Sequence, residues 1–257
     1  MKPAGFGQVI FWNGGSLWIG QAGQSVALHA HHAIQICIGL DGPVEFRESP
    51  DDAWMSFRAA FVPPNLPHEF RASGYHVANF LFEPLTHAGK AVLARFGNGG
   101  FAAIPDADIA EATVTFSRLH ADRASARALT EASLDFLARI AGGRPLPEPG
   151  DPRILRVIGW IAARLDQPIG LAEAAAVACL SEDRFRHLFV QETGITFRPY
   201  LLWARLNLAL ALGFSGTAWS EAALAAGFAD QAHLIRTCRR MLGLVPTALR
   251  ITPAVAA

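Results

Sequence analysis

Residues 171–194 read LAEAAAVACLSEDRFRHLFVQETG, and this stretch predicts the fold of the C-terminal part of the chain. An Ala-rich segment is followed by a break at Cys179-Leu180 and by a second segment that Ser181 is placed to cap. The pattern predicts two helices joined by a tight turn, the helix-turn-helix geometry that lays a second helix into the major groove of DNA. A single helical hairpin is as typical of plain packing, so both interpretations stay open for this stretch taken alone.

The same pattern returns in residues 219–243, WSEAALAAGFADQAHLIRTCRRMLG. In this copy the turn falls at Gly227-Phe228, and the capping residue is Asp230. Matching positions lie 48 or 49 residues apart, so the two stretches form an internal repeat. The repetition favours a function for the hairpin over plain packing.

The segment between the copies, residues 196–214, carries only Arg198 and Arg205 as charges and predicts one long bridging helix. Two hairpins on a stiff connector could address two major-groove segments of one duplex, roughly 34 Å apart.

The zero net charge conceals an asymmetry, because residues 151–257 carry 11 Arg against 8 acidic residues, whereas residues 1–150 carry 11 basic against 14 acidic ones. Arginine offers a donor fork that suits phosphate oxygens and guanine edges.

The first half of the chain predicts β-structure followed by helices. Residues 8–83 hold short runs rich in Val, Ile and Phe, broken by Gly, Pro, Asp and Asn at nearly regular spacing, which indicates an antiparallel β-barrel or sandwich. Residues 107–141 then turn helical, with one stripe at three-and-four spacing: Ala126, Leu129, Ser133, Phe136, Leu137 and Ile140. The stretch GGRPLPEPGDP, residues 142–152, predicts a linker that ends in a favourable helix start, Asp151-Pro152.

The composition limits the classes of protein to which the chain can belong. It has 257 residues, of which 51% are hydrophobic and 17% charged, but it holds no run of 18 apolar residues. The N-terminal segment lacks the basic and apolar regions of an export signal. We therefore expect a soluble, cytoplasmic protein with no membrane partner. The three cysteines are expected to be buried, reduced thiols, because they are odd in number and lie in apolar patterns.

The C-terminal region resembles the DNA-binding domain of AraC/XylS-type transcriptional regulators along nearly its whole length. Two positions depart from the family pattern: Cys179 stands where a small residue, often Gly, is usual, and Cys238 stands where an aromatic is usual. The matching residues are Ala175, Leu180, Ser181, Phe185, Phe189, Gly194, Pro199, Tyr200, Leu201, Arg205, Ala209, Ala226, Gly227, Phe228, Asp230, His233, Arg236, Arg239, Arg240, Gly243, Pro246 and Arg250.

This resemblance implies a set of DNA-contacting side chains, while Phe185, Leu188 and Phe189 should point inward. Arg186 and Arg236 are the candidates for paired hydrogen bonds to guanine. Arg239, Arg240 and Arg250 are expected to touch phosphates. The alternative for these arginines is a solvated helix face. The full implied set is Asp183, Arg184, Arg186, His187, Gln231, Ala232, Ile235, Arg236, Arg239 and Arg240.

The β-rich half resembles the cupin barrel, which regulators of this group commonly join to paired helix-turn-helix units. The first cupin motif is matched by the spacing of Gly23, His29, His31, Gln35 and Gly42, with Gln where metal-binding cupins carry Glu. The second motif is matched loosely in residues 61–70: Pro63 and His68 are correctly spaced, Asn65 replaces the usual Gly, and Ala72 the usual Asn. We therefore expect an α+β chain of two domains: a cupin-like antiparallel β-barrel with helices at 1–141, then an all-α double helix-turn-helix domain at 153–257.

His29, His31, Gln35 and His68 are the candidate effector-binding residues of this barrel. The three imidazoles could converge on a divalent metal, with Gln35 as a weak fourth ligand. The alternative is that the spacing is inherited and the histidines line an organic-effector pocket or bond to the backbone. Strand alternation predicts that His32 points outward.

Two functions are compatible with this sequence. The leading hypothesis is a transcription regulator, activator or repressor and not an enzyme, in which a ligand in the barrel alters operator binding. Its expected partners are double-stranded operator DNA and a small-molecule effector, with RNA polymerase and a second copy of the chain as further candidates. The alternative is a metal-dependent cupin enzyme, an oxygenase or isomerase with a helical appendage. The missing Glu and the absence of a Ser-His-Asp or phosphate-cradling pattern weigh against the enzyme.

Overall fold

A computed structural model describes residues 5–142 and 150–251 of the chain. These residues fall into two compact units, one formed by 5–142 with 238–251 and the other by 150–237. The predicted division placed all of 153–257 in one domain, whereas the structure groups the last described residues with the β-rich unit. Residues 143–149 of the predicted linker lie outside the described part of the chain.

The first unit is built from two β-sheets. The larger has the strand order β10-β7-β4-β9-β2-β1-β11 and the smaller β3-β8-β5-β6, and within both sheets only the β1–β11 pairing is parallel. The strands are β1 (Gly5–Trp12), β2 (Gly15–Ala22), β3 (Val26–His29), β4 (Ile34–Gly39), β5 (Val44–Arg47), β6 (Met55–Phe57), β7 (Ala59–Val62), β8 (His68–Arg71), β9 (His76–Phe82), β10 (Ala102–Ala103) and β11 (Leu249–Ile251).

Three helices cover the outer face of the larger sheet: α1 (His87–Phe96), α2 (Asp106–Ala121) and α3 (Ala126–Ile140). In α3 the predicted stripe is confirmed, since its residues from Leu129 to Ile140 are buried at helical spacing. The buried hydroxyl of Ser133 is satisfied because it donates a hydrogen bond to the Leu129 carbonyl at 2.6 Å. Helix α1, which begins where the Thr86 hydroxyl accepts from the Gly89 amide, was not predicted from the sequence.

Strand β4 is buried and, apart from Gln35, apolar, because both faces of the larger sheet are covered. Ile34, Ile36 and Ile38 pack with the helices. Cys37 points to the other side, into a second core shared with the smaller sheet. A strand buried on both faces is rich in apolar residues, as this one is. The predicted β-rich first half with helices is therefore confirmed.

The helices of the second unit and its continuation follow the predicted order: α4 (Pro152–Ala162), α5 (Leu171–Val177), α6 (Glu182–Thr193), α7 (Phe197–Phe214), α8 (Trp219–Ala225) and α9 (Gln231–Leu242). Asp151 caps α4 by accepting from the Arg153 amide at 2.9 Å. The bridging helix α7 packs against α6 and against α8. Both hairpins and the connector are confirmed, and the division between the two units falls within α9, after Thr237.

The turn of the first hairpin corrects one expectation about the cysteines. Cys37 and Cys238 are buried, as predicted, but Cys179 is exposed. Cys179 has a φ of 56°, in the left-handed region where the family pattern usually places a small residue. The small Ala175 and Ala178 fill the core beneath the hairpin, so the thiol at the turn is left at the surface.

Arg205 of α7 ties the two hairpins of the second unit together. Its Nε donates to the Leu165 carbonyl at 3.1 Å and one terminal nitrogen donates to the Gln167 carbonyl at 2.7 Å. Gly227, at the turn of the second hairpin, packs directly on this junction. A methyl group at Gly227 would lie 2.2 Å from the Leu165 carbonyl oxygen and 2.8 Å from Arg205 Nε. The second turn therefore fits only if residue 227 has no side chain.

We predict that Gly227→Ala lowers the free energy of unfolding by about 3 kcal/mol, through a positive φ and a collision with backbone. The matched control is Gly194→Ala, which has a similar φ of 72° but open space around the added methyl, and should lose about 1 kcal/mol. Urea unfolding followed by circular dichroism measures both. Equal losses would contradict the packing argument.

Candidate DNA-binding surface and ligand pocket

Helix α6 presents one polar face and one core face. The Ser181 hydroxyl accepts from the Arg184 amide and starts the helix. Phe185 and Phe189 are fully buried and Leu188 is half-buried, as predicted. On the opposite face all four candidates are exposed: Asp183, Arg184, Arg186 and His187.

Two local contacts organise this exposed face. A terminal nitrogen of Arg186 lies 3.1 Å from a Glu182 carboxylate oxygen, one turn away. Nδ1 of His187 donates to the Asp183 carbonyl at 2.9 Å. Exposed ion pairs one turn apart contribute little free energy, so Arg186 can exchange Glu182 for another acceptor at small cost.

Helix α9 repeats the arrangement with a different balance of exposure. Asp230 accepts from the His233 amide at 2.6 Å and caps the helix. Leu234 and Cys238 are buried in the positions that Phe185 and Phe189 hold in α6. Of the six candidates in α9, Gln231 and Ile235 are half-buried. The other four are exposed: Ala232, Arg236, Arg239 and Arg240.

The candidate effector residues of the first unit converge in the structure. His29 and His68 face each other across β3 and β8, with ring centres 4.2 Å apart. The ring centre of His31 lies 5.6 Å from that of His29 and 5.2 Å from that of His68. All three are buried. One side-chain nitrogen from each lies within 4.8 Å of the other two, and among the residues that the structure describes this is the group suited to hold a metal ion.

The backbone fixes the orientation of each of these rings. Nδ1 of His29 is 2.8 Å from the Ala27 carbonyl, Nδ1 of His31 is 3.0 Å from that of Ala33, and Nδ1 of His68 is 2.8 Å from that of Leu66. A carbonyl oxygen only accepts, so each Nδ1 carries the proton and each Nε2 of the neutral ring carries a lone pair.

Burial keeps these rings neutral. It lowers the pKa of His29 to about 3, with the charge of His31 as a second cause. The pKa of His31 is lowered mainly by burial, and that of His68 is lowered well below its ordinary value by burial and by the charges of His29 and His31. The group therefore presents acceptor nitrogens at neutral pH.

Gln35 completes this group of three histidines. Its Oε1 lies 3.1 Å from Nε2 of His31, and its Nε2 donates to Oδ1 of Asn79 at 2.8 Å. The polar atoms of His31, Gln35 and Asn79 therefore form one connected group.

A cavity of about 120 Å³, partly open to solvent, adjoins the histidines in the first unit. Its polar lining includes a group formed by His29, His31, Gln35 and Asn79, together with Gln8, Gln21 and Gln24. Its apolar wall includes Trp18, Val26, Phe70, Val77, Leu81, Leu242, Leu244, Leu249 and Ile251. A mostly apolar cavity with a few grouped polar atoms is the usual form of a small-molecule site.

The segment after α9 forms part of this wall. Strand β11 pairs with β1, with Leu249 opposite Gly5. Gly243, which ends α9 with a φ of 66°, lies so close that a methyl group there would be 2.2 Å from the Ala27 carbonyl oxygen and 2.8 Å from Nδ1 of His29. The end of α9 thus lies directly against Ala27 and His29.

The structure corrects one detail of the cupin-like motifs and explains another. His32 is buried, 3.7 Å from the Glu83 carboxylate, and the prediction that it points outward is wrong. Residues 30–33 lie between β3 and β4, so strand alternation does not apply to them. Asn65 has a φ of 62°, which explains how it replaces a glycine.

Several lining residues were missed by the sequence analysis. Asn79 gives a weak signal, as the one amide side chain in the apolar run of β9. Leu242, Leu244 and Leu249 give none, because their place in the wall depends on a strand pairing between distant parts of the chain.

Comparisons with known proteins agree with this arrangement. Residues 174–251 match the family described as a helix-turn-helix domain. The chain is 26% identical over 234 residues to "Probable transcriptional regulator LumQ" of Photobacterium leiognathi, covering 87% of this chain and 92% of that protein. It is 34% identical over 103 residues to "Uncharacterized HTH-type transcriptional regulator YidL" of Escherichia coli (strain K12), covering 40% of this chain and 35% of that protein. The chain is a DNA-binding transcription regulator with a helix-turn-helix domain in residues 174–251.

The fold of this regulator is also similar to that of ToxT from Vibrio cholerae O395. That structure superposes with a TM-score of 0.62 at 9% identity, covering 92% of this chain and 96% of ToxT. A structure of unsaturated fatty acid bound ToxT, from strain SCE256, gives a TM-score of 0.57 at 10% identity, covering 90% and 92%. The comparisons favour the regulator over the cupin enzyme. Within residues 5–142 and 150–251, no helix is long and apolar enough to cross a membrane.

Proposed function

We propose that this regulator places α6 and α9 in successive major-groove segments of one operator. The observation that carries the proposal is that both helices, capped alike and joined through α7, keep their arginines exposed on the side opposite a buried core face. That face is formed by Phe185 and Phe189 in α6 and by Leu234 and Cys238 in α9. An exposed polar face on the second helix of each hairpin is what groove binding needs.

Within this surface we assign different tasks to the arginines. Arg186 and Arg236 lie towards the first half of their helices, the part that meets base edges when a recognition helix lies in the groove, and they would read guanine. Arg239 and Arg240 lie in the last turn of α9 and Arg250 in β11, where they would contact phosphates. The remaining candidates in α6 and α9 would border the same grooves.

We predict that Arg236→Ala weakens binding to the selected operator about 5- to 150-fold and relaxes the preference at one base pair, because a paired hydrogen bond to guanine is lost. The matched control is Arg239→Ala, which should weaken specific and random DNA alike and reduce the salt slope by about 1. Operators selected from random duplexes, followed by fluorescence anisotropy at several salt concentrations, measure both. An Arg236→Ala loss that is equal on operator and random DNA would contradict base reading.

We propose that a small amphipathic effector occupies the cavity of the first unit. Its apolar wall and grouped polar atoms support this, and the ToxT structure with an unsaturated fatty acid shows that a protein of similar fold holds such a molecule. An occupant would touch Leu242 and Leu244, at the end of α9 and just beyond it. Ligand binding would then favour one position of α9 and so change operator affinity.

We predict that oleate, an unsaturated fatty acid used as the probe, changes the operator Kd of the wild type but not of Leu81→Trp, in which the indole fills part of the cavity. Leu134→Trp is the control, because Leu134 is exposed on α3 and away from the lining. Fluorescence anisotropy with and without oleate measures the effect, after circular dichroism has shown that each variant is folded. An unchanged wild-type Kd, or an equal change in Leu81→Trp, would contradict this assignment of the cavity.

The remaining parts of the proposal concern partners and location. We propose that the chain acts without catalysing a reaction, since Gln35 replaces the acidic ligand of metal-dependent cupin enzymes. It would work in the cytoplasm, where operator DNA and RNA polymerase are found. A second copy of the chain would bind through the exposed side of the helices of the first unit, where Val114 and Leu134 lie at the surface.

A further inference from the structure

A second cavity of the first unit, about 880 Å³ in volume and partly open to solvent, lies beside the end of α2. Its floor is a row of residues across four neighbouring strands of the larger sheet: Arg250, Phe6, Gln21 and His76. Alternation from Ile10 of β1, which packs beneath the helices, places this row on the helix-covered face of the sheet. The end of α2 and the turn after it form a wall: Ser117, His120, Ala121 and Arg123.

Gln8 brings a buried acceptor to this cavity. It is 4% exposed, and its Nε2 donates to the Ala124 carbonyl at 3.2 Å, which identifies the other end of the amide as Oε1. Oε1 is buried and has no hydrogen-bond partner among the described residues, and the same holds for Nδ1 of His120. Because an unpaired buried polar atom is costly, both atoms are suited to hydrogen bonds with an occupant.

Two arginines make the cavity positive. Arg123 and Arg250 are exposed, and neither guanidinium forms an ion pair within residues 5–142 and 150–251. The carboxylate of Asp41 also lines the cavity, but it already accepts from the backbone amide and from Nδ1 of His76, each at 2.6 Å. The pKa of His120 is lowered by burial and then by the charges of His76 and Arg123, so the charge of Arg123 acts inside the cavity.

We propose that this cavity binds a small hydroxylated phosphate ester, with its phosphate between Arg123 and Arg250 and a hydroxyl group donating to Oε1 of Gln8. Two guanidinium groups match the charge of about −2 that a phosphate monoester carries at neutral pH. Arginine also binds phosphate oxygens through paired hydrogen bonds. Gln21 and Ser117 line the same cavity and offer polar atoms to further hydroxyl groups.

This site is separate from the proposed effector site. The three histidines lie on the side of the larger sheet that faces the smaller sheet, whereas the row of Phe6 and Arg250 lies on the helix-covered face. Arg250 links the new site to DNA, because it is also proposed to contact a DNA phosphate and one guanidinium cannot serve both anions fully. The ester would therefore weaken operator binding, and this step alone rests on the proposed function.

Isothermal titration calorimetry of the full-length protein without DNA tests the site, with glycerol 3-phosphate as the probe and chloride as the only other anion. We expect one molecule per chain, bound about tenfold more tightly than inorganic phosphate because of the added hydrogen bond to Gln8. Glycerol alone should give no measurable heat of binding. A wild type that binds glycerol 3-phosphate without saturation, or not at all, would overturn the proposal.

Variants separate a defined site from general attraction of anions. Arg123→Gln should weaken glycerol 3-phosphate binding about tenfold through the loss of a charge-assisted contact. The matched control is Arg118→Gln, an exposed arginine of α2 that does not line the cavity and should leave the affinity unchanged. Equal losses in the two variants would contradict the assignment of the phosphate position.

Gln8→Met tests the position of the hydroxyl group. It should bind inorganic phosphate as the wild type does, but lose the preference for glycerol 3-phosphate, and a retained preference would contradict the contact with Oε1. Because Arg123 is exposed, the comparison with Arg118→Gln stays decisive if Gln8→Met fails to fold. Fluorescence anisotropy at constant ionic strength then measures the operator Kd with the ester bound. An unchanged Kd would contradict the DNA contact of Arg250 and leave the binding site supported by calorimetry.

Discussion

The burial of β4 on both faces determines where polar side chains of the first unit can lie. Its isoleucines supply the core beneath the helices, and the alternate positions turn Gln35 and Cys37 towards the smaller sheet. A polar side chain in such a strand must find its partners inside the protein. Gln35 finds them in Asn79, on the neighbouring strand β9, and in His31. The polar part of the cavity is thus a consequence of how the sheet is packed. The apolar residues that the strands contribute to the cavity follow from the same alternation of side chains.

The second unit depends on a different constraint, a single buried junction. Arg205 donates to two carbonyls that follow α4, and Gly227 closes over the same place. Desolvation lowers the pKa of Arg205, but the guanidinium stays charged, and charge-assisted hydrogen bonds offset part of the cost of its burial. Arg205 belongs to α7, and the turn of the second hairpin packs against Arg205. The two hairpins are therefore held by the same contact.

Local chemistry explains which features could be predicted from the sequence. The caps Ser181 and Asp230 are short-range signals, and both hairpins lie where these residues place them. The spacing of His29, His31 and His68 identified the polar group because a barrel brings these positions together. His32 could not be placed, since strand alternation fails where no strand exists. The contribution of Leu244 to the cavity depends on β11 pairing with β1, a contact between opposite ends of the chain that leaves no pattern in either segment.

The division of the structure within α9 is the feature on which the proposed regulation depends. Residues up to Thr237 belong with the hairpins, and those from Cys238 belong with the β-rich unit. A helix transmits displacement along its axis because its backbone hydrogen bonds resist bending. Gly243 ends this helix against Ala27 and His29, at a distance that admits no side chain. A ligand that displaced His29 would therefore press on the end of α9, and this contact supports the proposed effect of an effector on the helix that carries Arg236.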